Sequence, residues 1–333
     1  MKRTALLCAL LIMSGLSVTI VLAFSQESAT GETADPVIIG AGDIAGCQAT
    51  VTEDTATGDL VDAQVSARPD TYVFTVGDNA YPKGRLSDFD RCYDSAWGST
   101  GGNFLARTYP SLGNHEYGDA TISSAAGYFD YFAGKAAMTG NRGDGYYAYD
   151  VGSNWRAIVL NSNQRTSSDL SPGCRNTDAS GLAQMNFLKA QLANAATKNV
   201  IAYWHHARFS DGPHGSTTAC AKKFFELLYK NKADIVLVGH NHIYERLTDI
   251  DALGNPVADG IDEFVVGQGG YSHDTFAVEA GKTPTPPGSV DARDNTRSGV
   301  LKLTLHADGY EWEYVGVPSA SDFTDSGSES VFR

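Results

Sequence analysis

Short apolar runs of strand length recur along the chain, at 37–41, 72–76, 155–160, 200–203, 235–238 and 263–266. They are rich in β-branched and aromatic residues, as buried strands are. Between several of them lie segments with apolar residues three to four apart, at 54–67, 182–196 and 222–231. That is the period of a helix with one buried face. Strands alternating with helices predict a partly parallel sheet covered on both sides. Near the end, residues 299–315 alternate apolar and polar on either side of Ala307, Asp308 and Gly309, a hairpin signal. The expected fold class is α/β: one layered, mixed β-sheet sandwich flanked by helices.

The 333 residues are ample for one large core, and 42% hydrophobic content with 35 glycines reads as globular and loop-rich. Lys2 and Arg3 precede an apolar stretch that runs to Phe24, and Ala23 offers a small residue for cleavage. We expect a signal peptide at 1–23, a flexible polar lead at 24–35, the main domain at 36–318 and a loosely packed polar tail at 319–333. Residues 277–300, rich in Pro, Gly and Asp, read as a long surface loop. The chain is expected to be secreted or extracytoplasmic, with an uncleaved membrane anchor as the alternative. Removing 1–23 takes away two positive charges and no negative ones, moving the formal charge from −14 to −16. Such a surface repels nucleic acid and anionic membrane, so neither is an expected partner. Any phosphate site must therefore carry its own positive charge. Beyond Cys8 in the leader, Cys47, Cys92, Cys174 and Cys220 form an even set. Two disulfides are expected, with the local pairs Cys47–Cys92 and Cys174–Cys220 favoured among three connectivities.

The residues that follow the strands carry the chemistry. Gly42 and Asp43 follow the first run. Gly77, Asp78, Asn79, Ala80 and Tyr81 follow the second. Gly113, Asn114, His115 and Glu116 follow "TYPSL", His205 and His206 follow the fourth run, and Gly239, His240, Asn241 and His242 follow the fifth. Taken singly, each is an ordinary turn. Together they would gather at the carboxyl ends of parallel strands, where α/β sheets bind ligands. Six of the eight histidines (115, 205, 206, 214, 240, 242) lie in or just after these motifs. Carboxylate, amide oxygen and imidazole suit borderline divalent or trivalent metals rather than calcium. The donors are too many for one tetrahedral zinc. One aspartate between two sets would bridge two ions about 3.5–4 Å apart, the clamp for in-line phosphoryl displacement.

This series of motifs resembles the calcineurin-like metallophosphoesterases, and most closely their purple acid phosphatase branch, from Val37 to about Tyr314. Many members of the wider family carry a histidine two residues after the first aspartate. Here that position is Ala45. The purple acid phosphatases also lack the histidine and use a tyrosine of the second motif, a place matched by Tyr81. "GHNHIYER" at 239–246 is similar to that branch as well. We expect no counterpart of the extra N-terminal β domain of the large plant-type enzymes, and so a catalytic domain alone.

The resemblance implies Asp43, Tyr81 and His242 as ligands of a first metal, Asn114, His205 and His240 as ligands of a second, and Asp78 as the bridge. It implies Fe(3+) paired with Fe(2+), Zn(2+) or Mn(2+), and in-line attack of a metal-bound hydroxide on a small phosphate monoester. His115 would hold the phosphate and help the leaving group, and Glu116 would orient it or protonate the leaving oxygen. His206 would face substrate or stand behind the ligands, and His214 is a further acid or a plain loop residue. A phosphodiesterase or nucleotidase on the same site is the alternative, decided by loops 82–107 and 117–145. A catalytically silent binding module on the same fold is a third reading. Tyr128, Phe129, Tyr131 and Phe132 could stack a base, although core packing is the expected use. Oligomeric state has no signal in the sequence.

Overall fold

The first apolar run becomes β1 (Val37–Ala41) and the second β2 (Tyr72–Thr75); they lie parallel, with Ile38 opposite Tyr72. The computed structural model describes residues 34–48, 51, 53–118, 124–163, 173–174, 179–195, 197–215, 219–277, 279, 290–318 and 322–331. The expected signal peptide and nearly all of the polar lead lie outside them. Next along the chain come β3 (Thr108–Pro110), β4 (Tyr147–Val151), β5 (Trp155–Val159), β6 (Asn199–His206), β7 (Ile235–Gly239), β8 (Tyr244–Ile250) and β9 (Ile261–Val266). The last four are β10 (Ala292–Asp294), β11 (Gly299–Leu305), β12 (Gly309–Gly316) and β13 (Ser326–Ser330). One six-stranded sheet has the order β13-β12-β11-β1-β2-β3, and a seven-stranded sheet has the order β10-β8-β9-β7-β6-β5-β4. Both are mixed. β1, β2 and β3 run parallel in the first, and β5, β6, β7 and β9 in the second.

The two sheets pack face to face. Ile38, Phe74, Leu301 and Leu303 of one meet Ile201, Tyr203, Leu237 and Phe264 of the other in a single buried cluster. The outer face of the second sheet is covered by helices Ala179–Asn194 and Ala219–Lys230, which contribute Leu188, Leu192, Phe224 and Phe225. Helix Asp54–Ala67 covers the first sheet through Val61 and Val65. The result is a four-layer α/β sandwich. Strands buried on both faces explain why the central runs are continuously apolar rather than alternating.

Both expected disulfides are present, Cys47–Cys92 and Cys174–Cys220. Tyr128, Phe129, Tyr131 and Phe132 are buried against Phe89 and Tyr93, so this cluster is core and offers no platform for a base. The tail differs from expectation. Ser326–Ser330 is an edge strand that pairs antiparallel with β12, Trp312 opposite Gly327. Within the expected surface loop, Ala292–Asp294 is a short strand on β8, and residues 278 and 280–289 lie outside the described set.

Candidate metal centre

The loops after β1 and β2 continue side by side beyond their strands. Asp43 N donates to Gly77 O, Ile44 N to Asp78 O, Ala45 N to Asn79 O and Tyr81 N to Ala45 O. This ladder brings Tyr81 beside Asp43. Asp43, Asp78 and His240 all have left-handed backbones, with φ of 57°, 50° and 72°. Non-glycine residues held there are strained, and such strain concentrates at functional sites. The glycines beside the donors answer a need for close approach. A Cβ at Gly113 would lie 2.1 Å from Asp78 Oδ1, and one at Gly239 would lie 2.6 Å from Asp43 Oδ2. Any larger residue would displace a carboxylate. β6 shifts register between Tyr203 and His206, an irregularity that re-aims side chains where two adjacent histidines must both face inward.

The donors meet in two groups. The Tyr81 hydroxyl lies 2.9 Å from Asp43 Oδ1, 3.2 Å from Asp78 Oδ2 and 3.1 Å from His242 Nε2. His242 Nε2 is itself 3.2 Å from Asp43 Oδ1. On the other side, His205 Nε2 lies 3.0 Å from Asn114 Oδ1 and 3.2 Å from Asp78 Oδ2. Donor atoms of Asp78, His205 and His240 all fall within 4.8 Å of one another. Asp78 Oδ2 thus faces both groups.

The electrostatics fit a cation. Asp43 is 0% and Asp78 2% exposed, and the ion pairs that reach them among the described residues come from histidine alone. Burial works against both carboxylates, yet His242 and His205 beside Asp43, and His205 and His115 beside Asp78, hold them below the usual range. Burial disfavours a charged His205, but the Asp78 carboxylate overrides it and lifts the imidazole to about 9. His205 Nδ1 donates to Val76 O at 2.9 Å, so its Nε2 can face two acceptors only by carrying a second proton or by giving way to a metal. Burial, followed by neighbouring His205 and His206, pushes His240 down to about 2, which keeps it neutral and able to ligate. Burial and the charges of Asp43 and Asp78 hold the Tyr81 phenol well above its ordinary value, a shift that a multivalent cation reverses.

The remaining expected residues surround this cluster. His115 donates from Nδ1 to Pro82 O at 2.6 Å and keeps Nε2 3.8 Å from Asp78 Oδ2, with its side chain 36% exposed. His206 is buried against His240, its Nδ1 2.8 Å from Ser162 Oγ, and burial and His205 push it down to about 3. His214 lies at the rim, ring to ring with His240 at 4.7 Å, and its side chain is 48% exposed. Glu116 is placed differently from a leaving-group acid. It is fully buried and accepts from the backbone N–H groups of Asp78, Asn79 and Gly113. It brackets two donor loops and faces away from solvent.

Residues 271–274 were missed from the sequence. Ser272 Oγ lies 2.6 Å from His242 Nδ1, and Asp274 Oδ2 accepts the His242 N–H at 2.9 Å. They follow the β9 run through Gly267, Gln268, Gly269 and Gly270, a glycine-marked strand end like those that carry Asp43, Asp78, Asn114 and His240.

The family model for calcineurin-like phosphoesterases matches residues 37–244. Purple acid phosphatase 17 of Arabidopsis thaliana is 24% identical over 207 residues, covering 54% of this chain and 55% of that protein. Among solved structures, a purple acid phosphatase from yellow lupin (Lupinus luteus) seeds superposes with a TM-score of 0.67 at 20% identity, over 89% of this chain and 54% of that one. The anchor protein of the Plasmodium inner membrane complex superposes with a TM-score of 0.66 at 14% identity, over 90% of each chain. The chain spans about half the length of the Arabidopsis and lupin proteins, and likeness to the two structures is a likeness of fold.

Proposed function

The chain belongs to the calcineurin-like phosphoesterase family, and we propose that it hydrolyses small phosphate monoesters at a pair of metal ions. The observation that carries the reading is the position of Asp78 Oδ2, 3.2 Å from the Tyr81 hydroxyl and 3.2 Å from His205 Nε2, between two donor groups. Asp43, Tyr81 and His242 would hold one ion, Asn114, His205 and His240 the other, and Asp78 both. A phenolate ligand favours a trivalent ion such as Fe(3+) on the Tyr81 side, and the imidazole-rich group suits Fe(2+), Zn(2+) or Mn(2+). Two such cations would supply an acidified water and offset the charge of the phosphate oxygens.

The chain's own groups supply the rest. His115, fixed through Nδ1 by Pro82 O, presents Nε2 at the open edge, where it can donate to the leaving oxygen. Buried His206, held by Ser162, and exposed His214 border the His240 side and can donate to phosphate oxygens. Glu116 keeps the loops bearing Asp78 and Asn114 in register. The fold alone does not distinguish an enzyme from an anchoring protein such as the one in Plasmodium, but an intact donor set favours hydrolysis. An exported location is part of the same proposal. Two disulfides fit an oxidising compartment, and no helix among the described residues is long and apolar enough to cross a membrane.

The test compares 4-nitrophenyl phosphate with bis(4-nitrophenyl) phosphate on metal-loaded protein. We expect kcat/KM for the monoester to exceed that for the diester by roughly tenfold or more, because the site would bind oxygens that the diester lacks. The reverse preference would make the protein a phosphodiesterase. Turnover of neither, with metal bound, would make it a binding module.

A further inference from the structure

Residues 269–274 supply none of the expected metal ligands, yet they wrap the Tyr81 side of the centre. Gly269 N donates to Gly42 O at 2.9 Å and Tyr271 N to Asp43 O at 3.1 Å, so the segment is tied to the loop that carries Asp43. The Tyr271 ring then lies on the Tyr81 ring, centroids 3.5 Å apart and planes 3° from parallel. A centroid distance that short leaves no lateral offset. Aromatic pairs prefer offset or edge-to-face arrangements over a face-to-face sandwich, so ring–ring preference alone does not select this pose. The backbone ties hold the segment that carries the ring, and Gly46 leaves room for it, because a Cβ there would lie 2.7 Å from the Tyr271 ring. Tyr81 meets His115 at 4.4 Å and the edge of His242 at 6.0 Å, and it is 1% exposed.

We propose that Tyr271 is a positioning residue for Tyr81: its ring covers the Tyr81 face, keeps water from it, and holds the hydroxyl on the group formed by Asp43, Asp78 and His242. Its consequence for metal binding rests on the dinuclear reading above, whereas the cover over Tyr81 does not. Ser272 and Asp274, on the same segment, hold the neighbouring donor His242 in the same way, from its Nδ1 and its backbone N–H.

The test has two arms, using wild type, Tyr271→Phe and Tyr271→Ala. In the first, metal-free protein is footprinted with hydroxyl radicals and oxidation is mapped to peptides. Tyr81 should be protected in wild type and Tyr271→Phe and oxidised in Tyr271→Ala. Equal protection in all three overturns the proposal. In the second, iron-loaded protein is followed by its visible absorption while a chelator removes the metal. Tyr271→Ala should lose iron about tenfold faster than wild type, as variants of groups that orient a ligand do, and Tyr271→Phe should not. Iron loss at the wild-type rate from Tyr271→Ala overturns the positioning role. If wild type shows no visible band when loaded with iron, Tyr81 is not an iron ligand and that part of the dinuclear reading fails. The footprint still decides whether Tyr271 covers Tyr81.

Discussion

Glu116 sits two residues from Asn114, has no solvent exposure, and spends both carboxylate oxygens on the N–H groups of Asp78, Asn79 and Gly113. Burial and then the charge of Asp78 push it up to about 7. In Glu116→Gln, one oxygen becomes an NH2 group facing backbone donors. An unsatisfied buried group of this kind costs about 1–3 kcal/mol. We therefore expect a lower denaturation midpoint and weaker metal retention, measured by chemical unfolding and by metal analysis after dialysis. A leaving-group acid at this position would instead leave folding and metal content unchanged and alter only the pH–rate profile. At this scale the candidate donors were legible because Asp43, Asp78, Asn114, His240 and His242 come just after a strand and a glycine and His205 closes an apolar run, and Tyr81 because its place in the second motif matched a known branch. The role of Glu116 was not legible, since spacing does not say where a side chain points. Tyr271 was missed because what marks it is its ring contact with Tyr81, a residue far away in the sequence, and spacing does not show such a contact.

The segment after β6 depends on two buried acids of neighbouring strands. Glu263 on β9 accepts from the N–H groups of Arg208 and Phe209, and Glu245 on β8 accepts from Ser210 and the Asp211 N–H. Burial pushes Glu263 to about 8 and Glu245 to about 7. A carboxyl raised in the folded state contributes stability that is fully present below its ordinary value of 4.5, and that contribution is lost as pH rises through its folded value. For Glu263 the window runs from 4.5 to about 8, with a slope of up to ~1.4 kcal/mol per pH unit. Glu263→Gln mimics the protonated form. Denaturant unfolding across this window should give a shallower decline for the variant than for wild type, and equal slopes would refute the assignment. Among elements, β1 and helix Asp54–Ala67 match their sequence expectations because burial and period agree. β6 runs on to His206 because the sheet encloses both histidines, which a hydrophobic pattern reads as a strand end. β13, "SGSES", was read as loose tail because an edge strand held by backbone pairing needs no apolar period.

At the scale of the molecule, two sheets enclose one core, and the donor set gathers where β1, β2, β3, β6 and β7 end. The layered architecture was legible from strand–helix alternation, but the division into two sheets was not, because apolar runs do not say which strands pair. Each disulfide closes a loop, with sequence separations of 45 and 46 residues, and the chain-entropy model gives about 4 kcal/mol for each. Cys47–Cys92 ties the segment just beyond Asp43 to the helical turn that follows Tyr81, so that bond braces the candidate metal centre. The acidic surface sets a boundary condition: with a formal charge of −14, anionic substrates are repelled at long range, and attraction must come from the site. The central claim is therefore a pair of cations joined by Asp78. The most direct test is metal content per chain, measured by elemental analysis on purified protein whose monoester hydrolysis has been assayed in the same fractions. Two ions per chain are expected in active wild type, with metal and activity lost together in Asp78→Ala. Full activity with one ion per chain, or with none, would contradict the account.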